Sequence, residues 1–204
     1  MVPGKITTNV TKNVLTNFKS KFIDEQKVIL ANTCFSFYMD CQEIVAQPQL
    51  IHYFLLREVK QPNPNEMWFK VANKYVRFSL SEFCVVTGMR CNGKDVGKNL
   101  EHIPSRIKGT YFKNLKLVTN EDVCDVFLNL LDAKYHDVVS IGILYLITSF
   151  LFSTLYKKVV ENYLFVLVED FAAMERFLWG KELFEMSIKS LKEGLCYRNP
   201  HCRF

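Results

Sequence analysis

Met67-Trp68-Phe69-Lys70-Val71-Ala72-Asn73-Lys74-Tyr75-Val76-Arg77-Phe78, running straight into Ser79-Leu80-Ser81-Glu82-Phe83-Cys84-Val85-Val86-Thr87-Gly88-Met89-Arg90, decides the fold. Trp68, Val71, Tyr75, Val76 and Phe78 suit two short strands, and Asn73-Lys74 suits the turn between them. Ser79-x-x-Glu82 is a capping box, in which hydroxyl and carboxylate satisfy backbone donors at a helix start. Gly88 stands where such a helix would end, because glycine alone enters the left-handed region at no steric cost. The block specifies a strand–turn–strand–helix and contains no reactive constellation.

Toward the N-terminus, Pro48 and Gln61-Pro-Asn-Pro-Asn65 bracket a helical segment over residues 49–60. Val10, Val14, Phe18 and Phe22 recur every fourth position with Lys12, Lys19 and Lys21 between them, an amphipathic helix whose apolar face must dock. Toward the C-terminus, residues 91–106 are polar, carry glycines and lack periodicity, so they read as a long loop. Thr119 can cap a helix bearing Val123, Phe127, Leu130 and Leu131 on one face, with Glu121 and Asp122 well placed in its first turn. A closing helix carries Phe184, Ile188, Leu191 and Leu195 on one side, with Gly194 as its stop. Residues 163–168 are apolar on both faces and fit strand or helix equally.

Residues 138–156 hold no charged side chain over nineteen positions, long enough to cross a bilayer. Ser140, Thr148, Ser149, Ser153 and Thr154 dilute the run, and the preferred reading is a central helix buried on all sides. The expected fold is a helix-dominated α+β single domain with a central buried helix and a small β-hairpin. Residues 1–30 form an N-terminal helical arm, 31–195 the domain and 196–204 a tail. With 204 residues, 49% hydrophobic content and 17 Phe, the chain can fill a core and is not a disordered tract.

Four ordered segments resemble one known family. Arg77-Phe-Ser-Leu-Ser-Glu-Phe-Cys-Val-Val-Thr-Gly-Met-Arg-Cys91 is similar to its Arg-Phe-Ser-x-x-Glu-Phe-x-x-Val-Thr-Gly-Leu-x-Cys element. Cys34-Phe-Ser-Phe-Tyr-Met-Asp40, Leu50-Ile-His-Tyr-Phe-Leu-Leu-Arg57, and Leu167-Val-Glu-Asp170 with Phe177-Leu-Trp-Gly180 match three further elements in order, except that Phe177-Leu178 stands where the family has Tyr-Pro. The family is a plant-specific domain of unknown function found in Mutator-like transposable-element proteins, often upstream of a SUMO-protease-like cysteine peptidase. The resemblance implies a structural set of Phe78, Ser79, Glu82, Phe83, Gly88, Asp170, Trp179 and Gly180, with Trp179-Gly180 as a corner where the indole fills a pocket and the glycine permits reversal. The chain ends at Phe204, so the expectation is the domain without its peptidase.

Function is sparsely written. Between positions 90 and 116, seven cations face only Asp95 and Glu101, which accounts for the whole net charge of +5. Arg90, Lys94, Lys98, Arg106, Lys108, Lys113 and Lys116, with Tyr111 and Phe112 among them, form the basic-plus-aromatic mixture that contacts phosphate backbones and stacks on bases. A non-catalytic binding module is therefore expected, with nucleic acid on this loop competing against a protein partner on an apolar groove or the N-terminal helix.

Other chemistry is excluded or bland. Asp40-Cys41 lacks the following glycine and preceding histidine of a cysteine hydrolase, leaving that class a remote alternative. His136 and His52 read as structural histidines in apolar segments. Cys196, His201 and Cys202 cluster in the tail but lack a fourth zinc ligand, so no metal is assigned. No cofactor loop and no small-molecule substrate site are evident. Seven irregularly spaced cysteines and an N-terminus without a charged start and apolar run place the chain in an intracellular, reducing compartment, where most cysteines would be small buried hydrophobes. Transposon-derived context favours the nucleus over the cytoplasm.

Overall fold

The computed structural model describes residues 13–42, 47–94, 97–131, 133–152 and 158–196. In chain order the helices and strands are α1 (Val14–Lys21), α2 (Asp24–Ala31), α3 (Phe37–Asp40), α4 (Pro48–Leu55), β1 (Glu58–Val59), β2 (Met67–Val71), β3 (Lys74–Phe78), α5 (Leu80–Thr87), α6 (Arg106–Tyr111), α7 (Asn120–Asn129), α8 (Tyr135–Leu146), α9 (Asn162–Glu169), α10 (Phe171–Arg176) and α11 (Trp179–Cys196). A 3-10 turn occupies Lys98–Leu100, and a π-helical stretch, Ile147–Leu151, continues α8. The fold is helix-dominated α+β, as expected. The described residues of Val45–Gly93 and Leu178–Phe204 form one compact unit, and those of Asn9–Ile44 and Lys94–Phe177 a second.

The first unit is built on the quoted block. β2 pairs antiparallel with β3 from Met67↔Phe78 to Val71↔Lys74, so the turn is Ala72-Asn73, one residue earlier than expected, with Ala72 at φ 52°. Alternation sends Met67 and Phe69 inward, where they join Leu55, Phe184 and Ile188, with Phe78, Phe83 and Leu191 packed around them. The closing helix α11 thus presents Phe184, Ile188 and Leu191 on the face its periodicity foretold, and the side chain of Leu195 lies outside the described residues. Its expected stop is corrected: α11 runs past Gly194 to Cys196. The helix expected over 49–60 also ends early, at Leu55. Glu58 and Val59 instead pair with Phe69 and Trp68, and the Lys70 amide donates to the Arg57 carbonyl at 2.9 Å. The free edge of β2 satisfies backbone groups that one more helical turn would otherwise have paired.

Ser79 and Glu82 form the capping box: the Ser79 amide donates to Glu82 Oε2 at 3.0 Å, and the Ser81 amide to Ser79 Oγ at 3.3 Å. Gly88, at φ 68°, closes α5 with its amide on the Cys84 carbonyl. Cys84 and Cys91 form a disulfide, which corrects the reading of these cysteines as unpaired hydrophobes. Gly180 is required for a different reason from chain reversal. It lies inside α11, its amide donates to the Arg90 carbonyl at 2.9 Å, and a Cβ there would come within 2.5 Å of Cys91 Sγ and 3.0 Å of the Met89 carbonyl. Closeness of two backbones, not a turn, excludes a side chain.

In the second unit α8 is the centre. Every residue from Asp137 to Leu146 is buried, and α1, α2, α7 and α9 pack around it. No described helix is long and apolar enough to cross a membrane; positions 153–156 of the apolar run lie outside the described residues. Gly142 lets aromatic rings reach the α8 backbone, since a Cβ would collide with the Phe22 ring and stand 3.0 Å from that of Phe127. Phe127 in turn stacks on Tyr145 at 4.9 Å. The apolar stripe of the N-terminal helix, Val14, Phe18 and Phe22 with Leu15, is buried in this unit, so that face is not free for a partner; Val10 lies outside the described residues. Thr119 caps α7 together with Asp122, and residues 163–168 are helical, within α9.

Candidate functional site

The segment read as a solvated basic loop is tied down by two glutamates. Glu101 takes the backbone amides of Asn162 and Tyr163 at 3.2 and 2.9 Å, capping the start of α9. Asn162 Nδ2 donates back to the carbonyls of Glu101 and Ile103 at 2.9 and 2.8 Å. At the other end of α9, Glu169 accepts from Ser105 Oγ and from the Ile107 amide at 3.0 Å, so it caps α6 alongside the Ser105 hydroxyl.

This placement sets Arg106 over Asp137. Nη1 and Nη2 donate to the two carboxylate oxygens at 2.9 and 2.6 Å, and Nε lies 3.8 Å from Glu169 Oε2. Tyr111 Oη donates to Asp137 Oδ2 at 2.8 Å. The Asp137 side chain is 4% exposed, that of Arg106 54%. Arg106 holds the Asp137 carboxyl below its usual range, against burial, which raises it, with Tyr111 assisting. Burial, then the Asp137 carboxylate, push the Tyr111 phenol up. Beside the pair opens a cleft of about 320 Å³ lined by Arg106, His136, Asp137, Ser140, Glu169, Asp170 and Phe171.

The expected nucleic-acid residues take several roles. Arg106, Lys108 and Tyr111 are engaged inside the second unit, with Lys108 Nζ 3.4 Å from Asn162 Oδ1 and 5.4 Å from the centre of the Phe165 ring. Phe112 is 3% exposed and meets Phe165 edge-on at 5.5 Å, so its ring is core and not open to a base. Lys113 and Lys116 are exposed, Lys94 is exposed, and Lys98 lies in the 3-10 turn. Arg90 belongs to the first unit, its Nε on the Asn92 carbonyl at 3.3 Å. Asp170 caps α10 through the Ala173 amide at 3.0 Å, and Trp179 is 3% exposed. His136, read as a structural histidine in an apolar segment, is exposed, lines the cleft and sets its ring 6.2 Å from that of Phe171. Cys41 gives its thiol to the Gln42 carbonyl at 3.3 Å. No group of three or more His, Cys, Asp or Glu that could hold a metal occurs among the described residues, and His201 and Cys202 lie outside them.

Sequence reasoning missed Asp137, Ser140, Glu169 and Phe171. The only signal was an aspartate and a serine at the start of a helix otherwise apolar on every face. A second grouping also emerged. The register puts Trp68 opposite Arg77 and Lys70 opposite Tyr75, so these four share the outward face of the sheet, with Arg77 5.9 Å from the Trp68 ring centre.

The described elements are those of a helix-dominated α+β protein with one small three-stranded antiparallel sheet. The chain matches the family model described as Domain of unknown function (DUF1985) over residues 55–190 and belongs to that family. No curated protein and no solved structure matches it.

Proposed function

We propose that the chain is a non-catalytic recognition module, of the kind carried by plant transposable-element-derived proteins beside a SUMO-protease-like peptidase, and that its ligand is a protein segment. One observation carries the choice of ligand: the middle of the basic loop is engaged internally, and the concavity next to it is lined by the carboxylates Asp137, Glu169 and Asp170. Phosphate is repelled there, whereas a basic protein segment is attracted. The motif resemblance supports the plant and transposon setting, and with it a nuclear location.

Nucleic acid remains the second reading, favoured by the outward sheet face, where Trp68 and Tyr75 offer stacking surfaces between Lys70 and Arg77. A single experiment separates the two. At low salt, duplex and single-stranded DNA are titrated while tryptophan fluorescence is followed; the first reading expects no saturable binding. Binding with a log–log salt slope of about −3.6, the value for about four neutralised phosphates, together with loss of affinity in Lys108→Glu/Lys113→Glu/Lys116→Glu or in Trp68→Leu, would install the nucleic-acid reading instead.

A further inference from the structure

We propose that the cleft of the second unit is a binding site for a primary ammonium group on an aliphatic stem, that is, for a lysine-type side chain. The inference rests on the protein-ligand reading above and gives its recognition chemistry. Arg106 is committed to Asp137 through both terminal nitrogens, and even with Lys134 acting on the same carboxylate, the two cations face three carboxylates. Two carboxylate oxygens remain open. Glu169 Oε2 has only the 3.8 Å approach of Arg106 Nε, and Asp170 uses Oδ1 on the Ala173 amide, which leaves Oδ2 without a donor among the described residues. Both groups stand at the C-terminal end of α9, where the last carbonyls add partial negative charge.

A second observation points to a ligand independently of this charge. Ser140 is only 4% exposed, lines the same cleft, and its hydroxyl forms no hydrogen bond with any described residue. A nearly buried hydroxyl is ordinarily partnered, so one left open toward a cavity marks the position of an incoming polar atom. Ammonium, a compact group with three donors, matches three acceptors: Ser140 Oγ, Glu169 Oε2 and Asp170 Oδ2. Phe171 supplies an apolar wall for the stem and a ring face for the charge. The requirement for a stem follows from the lining, since a free ammonium ion would leave Phe171 without contact.

The test uses Nα-acetyl-lysine N-methylamide as probe and Nα-acetyl-norleucine N-methylamide, which lacks the ammonium, as control, both titrated into the whole chain and followed by amide chemical shifts. The expected result is saturable binding of the lysine probe alone, with shifts confined to residues around Ser140 and Asp170. Asp170→Asn keeps an equally good helix cap while deleting the charge, and should weaken the probe about fivefold; Ser140→Ala should do the same, by the usual loss of one hydrogen bond. Equal binding of the norleucine control, absence of saturation, or full affinity in both variants would overturn the assignment. If the free probe binds but a peptide carrying the same lysine within a chain does not, the ammonium site stands and the protein-ligand reading falls.

Discussion

Arg106 and Asp137, thirty-one residues apart, meet through two hydrogen bonds of 2.9 and 2.6 Å that join the start of α6 to the first turn of α8. The aspartate is almost wholly buried while the arginine is half in water, so the two are not equivalent on removal. Arg106→Met leaves the buried carboxylate with the Tyr111 hydroxyl as its one remaining hydrogen-bond donor and Lys134 as its one nearby cation, and should cost about 2 kcal/mol, below the usual range for a fully buried pair because water screens the arginine. Because the Asp137 carboxyl is lowered when folded, its contribution is present above the ordinary value of 3.8 and fades as acid protonates the folded form. Urea titrations of both proteins from neutral pH downward should therefore converge in stability. Parallel curves would show that the pair carries no linkage.

Leu146 is fully buried in α8. Leu146→Asp puts an unpaired charge at the centre of the second unit, with an expected cost of about 4 kcal/mol or more, and should abolish soluble expression. Leu146→Met, which conserves volume, should cost under about 1.5 kcal/mol. Recovery of the unmodified chain only from detergent-extracted membranes would defeat the core reading.

Trp179→Ala removes a ring that is 3% exposed at the head of α11 and should destabilise by about 3–5 kcal/mol, measured by thermal or urea unfolding. Unchanged stability with altered ligand affinity would mean the indole is a contact and not a core residue.

Acid should also loosen the quoted block. Arg77 and then Ser79 hold the Glu82 carboxyl down at about 2, against an ordinary 4.5. A depressed carboxyl stabilises the fold above its unfolded value, and that contribution disappears as pH falls from about 4.5 toward 2. Amide exchange of α5 should accelerate in that window, and Glu82→Gln, which can still reach the Ser79 amide, should flatten the dependence. Identical exchange in both proteins across the window would show that Glu82 is not the titrating group.

The legible parts were those governed by local rules. Ser79, Thr119 and Gly88 announced their caps because capping chemistry is confined to three or four residues, and α8 announced its burial because no face of it is polar. The strand at Glu58–Val59 was illegible, since two residues carry no periodicity and pair only because β2 offers a free edge. The cleft was illegible for the same physical reason. Arg106, Asp137 and Glu169 belong to three helices, and their conversion from surface charges to a network is a product of tertiary placement. Tyr111 and Phe112 looked like base-stacking rings because sequence displays adjacency, while α6 sends one to Asp137 and the other into the core.

The clamp that Glu101 and Glu169 place on either end of α9 has a kinetic corollary. Each grips partners roughly sixty positions away along the chain, so closing either contact requires ordering a large loop first. The clasp should therefore click shut after α8 and α9 have already paired. Glu101→Ala should speed unfolding and leave the refolding rate nearly unchanged, a φ-value of about 0 at this position. The last region to assemble is then the first to let go, and through Arg106 and Glu169 it reaches the cleft.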